Sequence, residues 1–185
     1  MGNNTNDFLN NSKKAQATQK GNFKIFASYS TKDIDLIKPV LNNLAQVQGV
    51  NVFFADSDLK PGDIISQRIT QSIIGSDIFL VFYSGSAQQS TYVQQEIGVA
   101  LGQKKIIIPI LLDKTKPSGM LSNVHYLDFS DEQKRLVEFS RLYNFIVNNK
   151  QTKDRNTLLG LLALAGIGIF MLAAGQNHDE EDEDY

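Results

Sequence analysis

The residue types in this chain limit the chemistry it can do. The sequence contains no cysteine, which excludes thiol nucleophiles, zinc–thiolate sites and disulfide frameworks. Its two histidines, His125 and His178, are too few for a His-rich metal site or a His-based relay, so no metal is expected. The groups that stand out are hydroxyls and carboxylates in particular places. Ser28-Tyr29-Ser30 and Ser84-Gly85-Ser86 each follow an apolar run. Tyr92 and Glu96 are four residues apart, one helical turn, and share a face beside the apolar positions Val93 and Ile97. An aromatic ring and a carboxylate so spaced can line one wall of a cleft. The other reading is that Tyr92 borders the core and Glu96 is a solvated helix residue.

The absent motifs narrow the field further. No GxGxxG follows a strand and no GxxxxGK[ST] occurs, so neither a dinucleotide-fold nor a P-loop phosphate cradle is expected. No GxSxG nucleophile elbow is present. A phosphoacceptor receiver needs clustered acids after its first strand and an Asp after its third, where this chain has serines. Net charge is -2, but His178 to Tyr185 carry six acidic side chains, which leaves about +4 on the rest. That balance is too mild for a nucleic-acid partner.

The elements that must position these side chains alternate along the chain. Apolar, β-branched runs predict strands at Phe23 to Ser28, Val50 to Ala55, Ile78 to Tyr83, Ile106 to Leu112 and Val124 to Phe129. Ile34, Ile37, Leu41 and Leu44 recur at helical steps, with Pro39 expected to kink that helix or delay its start. Pro61-Gly62-Asp63 opens a second helix with Asp63 as N-cap, Ile65, Ile69 and Ile73 as its buried stripe and Gly75 closing it. Thr91 with Gln94 reads as a capping box for a helix burying Val93, Ile97, Ala100 and Leu101. A last helix from Asp131 to about Asn148 is expected to bury Leu136, Phe139, Tyr143 and Ile146. Strand and helix in alternation predict an α/β, flavodoxin-like five-stranded parallel sheet of order 2-1-3-4-5 with helices on both faces.

Both ends lie outside that unit, taken as residues 23–150. Residues 1–22 are mostly polar, with Phe8 and Leu9 the bulky apolar pair within them, and read as a disordered leader without a signal peptide. Thr157 to Gly175 is an uncharged stretch of 19 residues. As a helix it reaches roughly 28 Å, close to the thickness of a bilayer's hydrocarbon core. Lys150, Lys153 and Arg155 precede it and an acidic tail, 176–185, follows, so a single-pass transmembrane helix is expected with the N-terminal domain cytoplasmic. A buried helix of a soluble protein is the competing assignment.

In their order and spacing, four segments resemble the Toll/interleukin receptor (TIR) domain family in its bacterial form. They are Phe23-Lys24-Ile25-Phe26-Ala27-Ser28-Tyr29-Ser30, the run from Val52 through Asp58-Leu59-Lys60-Pro61-Gly62, the stretch Ser90 to Ala100, and Ile107-Ile108-Pro109-Ile110. The resemblance implies cleavage of the nicotinamide–ribose bond of NAD+, with NAD+ as substrate and no further cofactor, giving linear or cyclised ADP-ribose. It gives Glu96 the role of catalytic carboxylate. Tyr92 stands where the family often has tryptophan. Ser30, Thr31, Ser57 and Asp58 correspond to substrate-contacting positions, and Lys60, Pro61 and Gly62 to the BB loop through which such domains assemble. Partners implied are NAD+, other TIR domains and the membrane, in signalling or defence against phage. A non-catalytic adaptor that only docks other TIR domains fits every segment except the need for Glu96.

Overall fold

In the computed structural model, residues 23–54 and 65–175 are described, with side chains over 23–54 and 67–159. The chain divides into two units, Met1–Val147 and Asn148–Tyr185. In the first, the strands are β1 (Phe23–Ser28), β2 (Val50–Phe54), β3 (Ile78–Tyr83), β4 (Ile106–Leu111) and β5 (Leu127–Asp128). All pair in parallel, in the order β2-β1-β3-β4-β5. The α/β fold with that expected order is therefore present. Parallel strands need crossovers, and the helices provide them: α1 (Ile34–Ala45), α2 (Ile65–Ile74), α3 (Gly85–Gln89), α4 (Thr91–Gly102) and α5 (Glu132–Gly175).

Alternation along each strand divides the core between the two faces of the sheet. On one face Ile25, Val52, Leu80 and Phe82 pack with Ile37, Leu41 and Leu44 of α1 and with Leu142 and Ile146 of α5. On the other, Phe26, Phe79, Val81 and Tyr83 pack with Ile73 of α2, Ala87 of α3, and Val93, Ile97 and Ala100 of α4. Phe26 and Phe79 stack across β1 and β3 with ring centroids 5.6 Å apart. Every residue of β3 is buried, as a central strand covered on both faces requires.

Several local expectations need correction. Helix α1 begins at Ile34, directly after a 3₁₀ turn at Thr31–Asp33, so Pro39 does not delay it. Its missing N–H falls on the exposed side, and the Pro39 carbonyl accepts from Asn43 Nδ2 at 2.8 Å. The cap of α4 is Ser90, one residue before the expected Thr91; its side chain accepts from the Val93 N–H. Gln94 instead reaches back to the carbonyls of Ala87 and Gln88. Strand β5 is shorter than expected because Val124 donates its N–H to the Leu121 carbonyl, in a turn that holds it off the sheet. Pairing reaches only Ile110 and Leu111 of β4, which leaves Pro109 on an edge, where sheets tolerate proline.

Helix α5 buries Phe139 in part and Leu142 and Ile146 fully, whereas Leu136 is 78% and Tyr143 40% exposed. The expected stripe was thus displaced around the helix. In the second unit, α5 continues to Gly175, so 157–175 has helical backbone. Among the described residues no helix is long and apolar enough to cross a membrane. Most of the expected span, from residue 160 on, lies outside the residues whose side chains are described. The expected cap Asp63 and the side chain of Ile65 also lie outside them.

Candidate active site

Ligands of open α/β sheets bind at the carboxyl ends of the strands, and here the hydroxyls of Ser28 and Ser84 and the carboxylates of Glu96, Asp33 and Asp113 lie at that edge. Ser28 is the last residue of β1 and fully buried. It shares a strand face with Phe26 two residues before it, and Phe26 packs in the cluster that includes α4. Glu96 comes down to meet it from that helix. Val93, Glu96, Ile97 and Ala100 form the buried stripe of α4, at steps of three and four residues. Glu96 is therefore inside the stripe, not beside it, and only 5% exposed. Ser28 Oγ donates to Glu96 Oε2 at 2.5 Å.

A carboxylate so placed is costly to ionise. Loss of hydration pushes the Glu96 carboxyl up from 4.5 to about 7, while the Ser28 hydroxyl pulls it the other way. A carboxyl group that changes charge near neutrality, at the ligand-binding edge of the sheet, is an acid or base suited to work at physiological pH. Nothing of this kind is expected of a solvated helix residue.

The neighbouring polar pair is equally buried. Ser84 follows β3, which pairs with β1, and is 3% exposed; Asp33 ends the 3₁₀ turn after β1 and is 8% exposed. Ser84 Oγ donates to Asp33 Oδ2 at 2.6 Å and accepts from the Ala87 N–H at 3.0 Å, capping α3. After β4, Asp113 accepts from the Gly85 N–H at 2.9 Å. Partial desolvation acts against ionisation of Asp113, but N–H donors from Gly85 and Thr115 outweigh it and hold the carboxyl below its ordinary value. No group of acids and histidines among the described residues has the arrangement of a metal site.

The residues singled out in the sequence fall into three groups. Glu96 sits in the site. Ser30, 8% exposed, spends its hydroxyl on the N–H of Lys32 at the start of the 3₁₀ turn, and Thr31 opens that turn on the exposed side. Tyr92 lies in the first turn of α4 and is 62% exposed, so it does not share the enclosure of Glu96 one turn further on. Ser57, Asp58, Lys60, Pro61 and Gly62 lie outside the described residues. Sequence reasoning missed Ser28, Asp33 and Ser84 as site residues. For Ser28 a signal existed, since its two-residue offset from Phe26 fixes the face it shares.

Comparison with known proteins agrees with this architecture. Residues 25–143 match the TIR domain family model. Over 109 residues the chain is 28% identical to BdTIR of Brachypodium distachyon, named a probable 2' cyclic ADP-D-ribose synthase; the match covers 58% of this chain and 48% of that protein. Over 118 residues it is 30% identical to TcpO of Methanobrevibacter olleyae, which carries the same description, covering 62% of this chain and 34% of that one. The chain thus spans less than half the length of either relative. Among solved structures, the TIR domain of the Toll-related receptor TRR-2 from Hydra magnipapillata superposes with a TM-score of 0.57 at 23% identity, covering 66% of this chain and 96% of that one. The TIR domains of the activated Roq1 resistosome give 0.54 at 17% identity, covering 67% and 99%. These two likenesses bear on the fold alone. The family model covers more than half of the sequence, from within the strand that ends in Ser28 through the helix that carries Glu96, and the chain therefore belongs to the TIR domain family.

Proposed function

We propose that this protein is a NAD+-cleaving TIR enzyme in which Glu96 is the catalytic carboxylate. The observation that carries the reading is the buried Glu96, held by Ser28 at the carboxyl edge of the sheet. In NAD+ the nicotinamide is a cationic leaving group. When the bond between its ring nitrogen and ribose C1' breaks, the bonding electrons go to that nitrogen and nicotinamide departs neutral. Positive charge then grows on the ribose ring, where a fixed carboxylate stabilises it more than it stabilises the ground state. Water attacking C1' gives linear ADP-ribose, and a hydroxyl of the same molecule gives a cyclised product; either nucleophile loses one proton. Both curated relatives are named as probable 2' cyclic ADP-D-ribose synthases, which favours cyclisation.

The raised pKa of the buried Glu96 counts against a docking module that only recruits another TIR domain. Such a module gains nothing from an enclosed carboxylate whose ionisation costs about 3 kcal/mol in the fold. Ser30 and Thr31 at the β1 edge, Tyr92 on α4, and Ser57 and Asp58 complete the proposed substrate contacts. Assembly through Lys60, Pro61 and Gly62 is proposed to switch the enzyme on. The uncharged stretch 157–175, with its basic and acidic flanks, is proposed as a single-pass anchor leaving the TIR domain in the cytoplasm.

The full chain, reconstituted in liposomes and given NAD+, is expected to release nicotinamide, and Glu96→Ala to lose at least a hundredfold in rate. Turnover that survives Glu96→Ala refutes the assignment. A full chain that fails to float with the liposomes after alkaline washing refutes the anchor.

A further inference from the structure

Asp33 occupies the N-cap position of α1, where an aspartate ordinarily accepts from the helix's own first N–H groups. Here it makes no such cap bond. Its carboxylate turns to Ser84, 51 residues away in sequence, and both partners are buried. A buried carboxylate that leaves its local donors for one hydroxyl is holding two distant segments together.

What Ser84 holds leads to Glu96. Its hydroxyl is used twice, donating to Asp33 and accepting from the Ala87 N–H at the head of α3. Helix α3 is C-capped by Ser90, whose N–H donates to the Ala87 carbonyl and whose side chain then caps α4. Gln94 of α4 reaches back to the carbonyls of Ala87 and Gln88. The two helices are thus joined at one residue, and Glu96 lies six positions beyond it. Ala87 also packs α3 into the core, and among the described residues two other side-chain hydrogen bonds reach this helix, Asp113 on the Gly85 N–H and Ser118 on Gln88 Nε2 at 2.9 Å. Both are on exposed residues and compete with water.

We infer that Asp33 is a positioning residue for the glycosidic cleavage proposed above, acting through Ser84 and the α3–α4 junction to set the depth of Glu96 at the sheet edge. The end of β1 and the turn that follows it then grip the catalytic carboxylate at two points, directly through Ser28 and at a distance through Asp33. A displacement of about 1 Å at a reacting group is worth on the order of a hundredfold in rate, which is the scale on which Asp33 acts.

The inference rests on the NAD+-cleaving reading, and its test separates the two. In the full chain, nicotinamide release and the titration of Glu96, followed by carbon NMR of its carboxyl, are measured for the wild type, Asp33→Ala and Asp33→Asn. Asparagine keeps an acceptor for the Ser84 hydroxyl. Asp33→Ala is expected to lower kcat by tenfold to a hundredfold with KM within threefold, and to move the Glu96 midpoint down by at least one pH unit as water reaches it. Asp33→Asn is expected to keep kcat within threefold and leave the midpoint in place. If Asp33→Ala does not fold, Asp33→Glu, which keeps the charge and shifts the acceptor by one methylene, takes its part with the same expectations. An unmoved Glu96 midpoint, or a rise in KM with kcat intact, overturns the inference. A wild type that cleaves no NAD+ counts against the enzymatic reading alone, because the NMR midpoint still decides whether Asp33 sets the burial of Glu96.

Discussion

Replacing Glu96 by glutamine keeps the shape of the side chain and an oxygen to accept from Ser28, but removes the group that must ionise in an enclosed place. The stability consequence follows from the difference between the folded and unfolded acidity constants. The unfolded chain gives up this proton near 4.5 and the folded chain holds it to about 7. Between those values the folded state binds more protons, so stability falls as pH rises. The favourable contribution of the protonated Glu96 is complete below pH 4.5, is lost between 4.5 and about 7, and does not change further above that. A gap of about 2.5 units, at about 1.4 kcal/mol per unit, amounts to about 3 kcal/mol. Glu96→Gln is therefore expected to match the wild type at pH 4.5 and to exceed it by about 3 kcal/mol at pH 8, or roughly 6–12 °C in Tm for a chain of this size. Urea unfolding of both proteins at pH 4.5, 6 and 8 measures this directly. A glutamine variant less stable than the wild type at pH 8, or one with the same offset at all three pH values, refutes the reasoning, because the charge on Glu96 would then be compensated inside the fold.

Ser28→Ala removes a hydrogen bond that favours the ionised form, so the Glu96 midpoint is expected to climb from about 7. If the carboxylate is the working species, the ascending limb of the pH–rate profile moves up by about one unit. A profile that stays in place shows that Ser28 does not govern the charge of Glu96. Tyr92→Ala, at an exposed position, is expected to change stability by less than about 0.5 kcal/mol. It is also expected to lower kcat/KM for NAD+ by roughly threefold to tenfold through lost ring stacking. An unchanged kcat/KM removes Tyr92 from the site.

The sheet was legible in the sequence because its signal is strong and local. Strands β1 and β3 lie where expected, and their parallel order follows from the alternation of apolar runs with amphipathic ones. The helix α5 shows where periodicity stops. Leu136 and Tyr143 are seven apart, as are Phe139 and Ile146, so two apolar seams compete, and contact with the sheet selects the one through Leu142. The candidate site was legible only in part for a related reason. Glu96 stands out by its company of motifs, but the period that places it near Val93 does not say whether water reaches it. Ser28 and Ser84 look like ordinary strand ends, and Asp33 looks like an ordinary cap. Their roles arise between strands and helices 51 and 68 residues apart, distances at which a single sequence carries no pattern.

The same enclosure that penalises the free protein becomes useful when a cation arrives. With its midpoint raised to about 7, Glu96 exchanges its proton in the neutral range. A substrate bearing a positively charged nicotinamide near Glu96 favours the carboxylate, and low local dielectric strengthens that attraction beyond its value in water. Under the proposed function, binding NAD+ therefore expels a proton from the site, and the cost of ionising a buried acid is offset by the charge of the molecule it acts upon. Selectivity follows from the same term. Reduced NADH has the same shape but lacks the ring charge, so it does not draw Glu96 towards its ionised form, and it offers a far poorer leaving group. A site built on a hydrated carboxylate would draw much less of this distinction, so the burial of Glu96 is where the fold and the chemistry meet.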